Sequence, residues 1–161
     1  MGGIGLVIVI AAVIGSMGVA LYMYSEYQTN FIKVNAGEPV TVGPVEYIVT
    51  FEGTHMGNED TQPENTFVKI LIEAKNTSQE PTRMSGGQFY LIDEKEQKHQ
   101  AVYGEFSKED LLTDNLEPGK PARWTTQFDV PYDEQKQFNI LIRPTKEQST
   151  VDTAVICITN C

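Results

Sequence analysis

No lysine or arginine precedes Lys33, and Glu26 is the only acid before that point. Histidine is scarce too: His55 and His99 both lie in polar stretches. A metal site needs three or four converging ligands, which two separated histidines do not supply alone. There is no Gly-x-Ser-x-Gly elbow and no Gly-rich phosphate loop, so neither a strand-turn nucleophile nor a phosphate cradle is present. No cysteine follows the apolar N-terminus closely, which leaves a lipoprotein anchor unsupported. Internal repeats and low-complexity tracts are also missing. These absences remove the usual marks of catalysis, and the chain is read as non-catalytic and without a cofactor.

What is present begins with charge. The net charge is −10 and the sequence pI is about 4.6. An acidic surface repels phosphate backbones, so nucleic acid is not an expected partner. Anionic lipid heads would also repel it, which predicts a domain standing off the membrane.

The N-terminus is of a different kind. Ile4 to Tyr24 carries no charge. At ~1.5 Å per residue it spans about 31 Å, the thickness of one hydrocarbon core. Tyr22, Tyr24 and Tyr27 follow as an interfacial aromatic belt. A cleaved signal peptide is the competing reading, with Gly18-Val19-Ala20 as its small-residue site. The missing basic flank and the length of the run favour a retained transmembrane helix. Ala12, Ser16 and Ala20 share one helical face, with Ala11 and Gly15 beside them. Small residues so spaced let membrane helices approach closely, although such residues are common in these helices anyway.

From Val45 onward the period becomes two. Val45, Tyr47, Val49 and Phe51 alternate with polar residues, as do Val68, Ile70, Ile72 and Ala74. Trp124, Thr126, Phe128 and Val130 alternate with Arg123, Thr125, Gln127 and Asp129, and Phe138, Ile140 and Ile142 repeat the pattern. Ala154 to Thr159 is apolar on both faces and reads as a central strand. Turn signals separate these runs at Gly43-Pro44, Asn76-Thr77-Ser78, Ser85-Gly86-Gly87, Glu117-Pro118-Gly119 and Pro131-Tyr132-Asp133. The pattern predicts an all-β, antiparallel sandwich. Ser107 to Leu112 alone reads as a short helix, with Ser107 as cap and Asp110 three residues on. The expected division is a transmembrane anchor over 1–28, a linker over 29–38 and one sandwich over 39–161.

Few residues invite a site. His55, Glu59 and Asp60 form the one mixed cluster that suggests a metal, and a solvated loop is the favoured reading. The acidic runs at Asp93–Glu96 and Glu109-Asp110 lack calcium-loop spacing and read as a solvated face. Cys157 and Cys161 would stand about 13 Å apart in a strand. A disulfide needs Cα atoms within about 7 Å, so they bridge only if the chain turns at Thr159-Asn160. A local ring is favoured; a free Cys161 or an intermolecular bridge stays open. Asn76-Thr77-Ser78 matches the N-glycosylation acceptor pattern, and the same residues also make a good turn without sugar.

The order of motifs resembles a prokaryotic family, the domain of unknown function 4352. The residues are Gly37-Glu38-Pro39-Val40, Val45-Glu46-Tyr47, Phe67-Val68-Lys69-Ile70 with Asn76-Thr77-Ser78, Phe89 to Asp93, Leu116-Glu117-Pro118-Gly119, and Phe128-Asp129-Val130-Pro131. Where family members often carry Gly after the strand-ending Asp, this chain has Glu94-Lys95-Glu96-Gln97. The resemblance implies an immunoglobulin-like sandwich facing the cell envelope, tethered by its N-terminus, with no catalytic residues to carry over. Together with the charge, it puts the C-terminal domain outside the cytoplasm of a single-pass membrane protein. The expected function is binding or scaffolding among envelope proteins. The alternatives are an accessory subunit of a larger membrane complex, such as a motility or surface-filament assembly, or extracellular metal handling. The layout of one helix and a sandwich is also similar to stator proteins of the archaeal motility machinery, though layout does not fix function.

Overall fold

A computed structural model describes residues 2–104 and 106–161, and the side chains of all but residues 2–6 among them. Met1 and Glu105 lie outside the description, and with them the first residue of the expected anchor. Helix α1 runs over Gly2–Glu26, and Val7–Glu26 is long and apolar enough to cross a membrane. None of that stretch is buried against the rest of the protein.

Eleven strands follow among the described residues. They are β1 (Asn30–Asn35), β2 (Val40–Val42), β3 (Val45–His55), β4 (Thr66–Asn76), β5 (Thr82–Ser85), β6 (Phe89–Ile92), β7 (Lys98–Gln100), β8 (Thr113–Leu116), β9 (Pro121–Val130), β10 (Phe138–Ile142) and β11 (Asp152–Thr159). A five-stranded sheet, β1-β11-β10-β6-β7, faces a four-stranded sheet, β2-β3-β4-β9, and β5 pairs with β8 as a separate two-stranded sheet. The fold is an immunoglobulin-like sandwich, the expected class. One pairing departs from the antiparallel expectation: β1 lies parallel to β11, with Asn30 opposite Asp152 and Asn35 opposite Cys157.

The period-two runs build the core. Val45, Tyr47 and Val49 of β3 and Val68, Ile70, Ile72 and Ala74 of β4 are buried, facing Leu91, Ile140, Ile142, Ala154 and Ile156 of the other sheet. Between Phe51 and Gly53 the register of β3 on β4 slips. Gly53 stands there at φ +132°, a backbone state that side chains disfavour, so a glycine suits the bulge.

Three expectations need correction. The linker expected over 29–38 is largely strand, because Ile32 and Val34 pack against the core while Phe31, Lys33 and Asn35 face out. The helix expected over Ser107 to Leu112 is absent. Its donors go elsewhere: Leu111 N–H donates to the Thr125 carbonyl, and the Glu109 carbonyl accepts from Thr125 N–H. Residues 101–104 and 106–112 therefore run as a strap along β9. The strap also explains why Thr125 and Gln127, expected on the solvent face, are 1% exposed.

Candidate functional site

The sandwich has two distinct ends. Asn30 N–H donates to the Val151 carbonyl, so the chain enters from α1 beside the start of β11. A Cβ on Gly43 would touch Thr150, which sets the start of β3 at the same end. His55, Thr159 and the loop of residues 56–65 therefore lie at the far end, away from the helix.

At that far end His55 packs on two phenylalanines. Its ring centroid is 5.2 Å from Phe67 and 5.3 Å from Phe106, which approach each other to 5.1 Å. Gly57 N–H donates to His55 Nδ1 at 3.1 Å, which leaves the proton of the neutral ring on Nε2. That nitrogen is buried and has no partner among the described residues. Beside it a cleft of about 280 Å³ opens between His55, Gly57, Lys69 and Phe106. Lys69 is held by Glu52 at 2.9 Å. Burial first, and then the Lys69 charge, lower the imidazole pKa against the opposing pull of Asp110. A depressed histidine adds stability that is complete above its unfolded value and lost as pH falls through the folded one. Stability should therefore decline below the ordinary value of 6.5, and His55→Phe should flatten that part of the profile in urea titrations.

The metal candidates do not converge. Glu59 and Asp60 are exposed in the loop while His55 is turned into its aromatic cluster. Among the described residues no three His, Cys, Asp or Glu come together. The loop is closed by polar turns instead. Asn58 Oδ1 accepts from Asp60 and Thr61 N–H, and the Asp129 carboxylate accepts from Glu64 and Asn65 N–H at 2.6 and 2.9 Å.

Asp93 organises the turn where glycine is missing. Its Oδ1 accepts from Lys95 and Gln97 N–H, and its Oδ2 meets His99 Nε2 at 3.1 Å. Burial raises the Asp93 pKa, but the hydrogen bonds from Gln97, His99 and Lys95 outweigh it, and the carboxyl sits below its usual value. Glu96 takes the left-handed conformation at φ +61° that a glycine would fill more easily.

Cys157 and Cys161 are joined in a disulfide with Cα atoms 5.7 Å apart. The turn that permits it is at Asn160, at φ +51°, whose Nδ2 donates to the carbonyls of Glu134 and Lys136. A ring this small removes little freedom from the unfolded chain, so reduction should lower stability by no more than about 2 kcal/mol. Denaturation with and without a reductant measures that difference.

Asn76 is a structural residue in the folded chain. It is fully buried. Its Nδ2 donates to the carbonyls of Glu80 (2.7 Å) and Leu116 (3.0 Å), and its Oδ1 accepts from Ser78 N–H and Oγ. The glycosylation candidate is thus a joint between the turn after β4 and the turn before β9, with no free amide nitrogen for a sugar.

Ala12, Ser16 and Ala20 are exposed on α1. Ser16 Oγ donates to the Val13 carbonyl at 2.8 Å, so its polar group is satisfied within the helix.

One feature left no mark in the local sequence. Tyr47 Oη approaches Met84 Sδ at 3.6 Å and accepts from Gln148 Nε2 at 3.4 Å. Gln148 Oε1 accepts from Gln88 Nε2 at 3.0 Å. Gln88 and Gln148 are 4% and 5% exposed, so the network crosses the core and ties both sheets to their connections. Its partners stand up to 101 residues apart, beyond the reach of any spacing rule.

The sequence profile described as Domain of unknown function (DUF4352) matches residues 34–149. No curated protein sequence matches the chain. Among solved structures, the yjhA protein of Bacillus subtilis superposes with a TM-score of 0.62 at 18% identity, covering 77% of this chain and 98% of that one. The secreted protein MPT63 of Mycobacterium tuberculosis gives 0.59 at 7% identity, over 81% and 98%. The Bacillus subtilis ycdA protein, provisionally designated a lipoprotein, gives 0.58 at 16% identity, over 78% of this chain and 39% of its own. At such identities the likeness concerns the fold.

Proposed function

The chain belongs to the family of the domain of unknown function 4352, and from that premise we propose that it is a membrane-anchored, extracytoplasmic, non-catalytic module that binds or scaffolds other envelope proteins. The observation that carries this reading is the apolar, uncovered helix joined to the end of the sandwich opposite the loop of residues 56–65. A tether at one end leaves the loop-bearing end free to meet a partner. A disulfide suits an oxidising compartment, and the structural likeness to a secreted protein agrees with that side of the membrane.

The test is topological. A C-terminal epitope tag on the full-length protein should be labelled by antibody on intact cells, and the mature chain should begin before Ala20. A tag reached only after permeabilisation, or a mature N-terminus beyond Ala20, would reject the reading.

A second reading, an accessory subunit docked through the helix, is favoured by the exposed face of Ala12, Ser16 and Ala20. Replacing Ala12 and Ser16 together by Leu should then strip the co-purifying membrane proteins from gently solubilised material. An unchanged set would leave the sandwich as the binding element.

A further inference from the structure

Between α1 and the sandwich there is almost no spacer. Tyr27 N–H still donates to the Met23 carbonyl at 3.1 Å, so helical bonding reaches Tyr27. Gln28 and Thr29 alone separate it from β1. The four residue steps from Tyr27 to Phe31 cover at most about 13 Å when extended. That is about twice the headgroup layer, which adds roughly 5–7 Å on each side of the hydrocarbon, so Phe31 stays within one further headgroup thickness of the bilayer.

Three large side chains on this corner are uncovered. Tyr27 is 67% exposed, Phe31 58% and Val151 38%. Phe31 faces outward from an edge strand, one pair beyond the Asn30–Asp152 pair that follows Val151. Two residues later Lys33 emerges on the same outer face. An aromatic ring with a lysine just above it is the pattern of an interfacial anchor, the ring among headgroups and the ammonium reaching to phosphate. Asp152, opposite Asn30, accepts hydrogen bonds from Asn30 Nδ2 and Thr150 Oγ1, which reduces its demand for water.

We infer that the β1 corner of the sandwich, with Phe31 and Val151 as its apolar contacts, rests in the headgroup zone of the bilayer that α1 crosses. The occupant of this surface is a zwitterionic phospholipid interface, since the acidic domain is repelled by anionic heads. The sandwich thus leans on the membrane along β1 rather than standing clear of it, and this orients the far-end loops away from the surface. The inference rests on α1 spanning the membrane, as proposed above.

Spin labels on single cysteines test it in the full-length chain, in phosphatidylcholine nanodiscs holding one chain each, with the native disulfide kept. The positions are Ile14→Cys in the helix, Phe31→Cys and Val151→Cys at the corner, and Met56→Cys, 64% exposed in the far-end loop. Labels at 31 and 151 should be several-fold less accessible to a water-soluble nickel chelate than the label at 56, and several-fold more accessible to oxygen. Equal accessibility at 31, 151 and 56, with Ile14→Cys protected, overturns the inference and leaves the anchor standing. An exposed label at 14 overturns the anchor and the inference with it. All four positions are exposed in the protein, and unchanged thermal melts will verify that the variants fold.

Discussion

Asn76→Ala should lower the stability of the sandwich by about 3 kcal/mol, the largest single-residue loss expected here, because it leaves several buried groups without partners at once. The Glu80 and Leu116 carbonyls would lose their Nδ2 donors, and Ser78 would lose its acceptor. None of these groups gains water easily, since the site is fully buried. The urea midpoint should fall while its slope stays constant. Asn76→Asp should do no better: the acceptor is kept, but an oxygen then faces two carbonyls. If either variant unfolds within about 0.5 kcal/mol of the parent, a typical surface effect, the joint is not what holds these turns. The same geometry predicts that the peptide containing Asn76 has its unmodified mass in the native protein. A glycan on Nδ2 would displace a donor that the fold uses.

This joint also explains why the family motifs fall where they do. Asn76-Thr77-Ser78 and Leu116-Glu117-Pro118-Gly119 are separate in sequence but meet in one place: Gly119 N–H donates to the Asn76 carbonyl at 2.8 Å, and Gly119 takes φ +70°. A left-handed glycine lets the chain turn back into β9. The Phe128-Asp129-Val130-Pro131 motif closes the loop before β4 through Asp129.

The long strands were legible because one face of each meets the core and the other meets water. That contrast is what period two records in Val45-Glu46-Tyr47 and in Val68 to Ala74. It fails where the second face is also covered. Thr125 and Gln127 look like solvent positions, yet the strap of residues 101–104 and 106–112 lies over them. It fails again at β1, where Phe31 faces outward and reads as one more apolar residue after the helix rather than as the exposed half of an alternation. Ser107 and Asp110 do form the local bonds that a helix cap would, with Asp110 accepting from Ser107 N–H and Oγ. No helix follows because Leu111 N–H pairs with β9. Of the candidate sites, the cysteine pair was legible up to the turn it required, and that turn needs Asn160 in a conformation that the spacing alone does not reveal. Asn76 matched a short pattern that carries no information on burial.

The Tyr47 network predicts a second large effect, at alkaline pH. Burial pushes the Tyr47 phenol up to about 12 from its ordinary 10.0, against the smaller opposing effect of its glutamine neighbours. The folded state therefore holds the proton more tightly than the unfolded chain. The resulting contribution is complete below pH 10 and disappears as the pH rises from 10 to 12. A proton held about a hundredfold more tightly corresponds to about 3 kcal/mol between these limits. Tyr132 and Lys136 also have raised pKa values, so alkali weakens the protein through more than one group. Tyr47→Phe separates them. At pH 8 the variant should be less stable by about 1–2 kcal/mol, because Gln148 Nε2 keeps only Met84 Sδ, at 3.9 Å. By pH 12 that difference should vanish or reverse, since the phenol in the parent must then lose its proton or hold it against solution. Guanidinium titrations of both proteins at the two pH values decide the matter. A parent and variant that lose stability in parallel would mean that Tyr47 is not the group that alkali acts on, and that the network across the core only fills space.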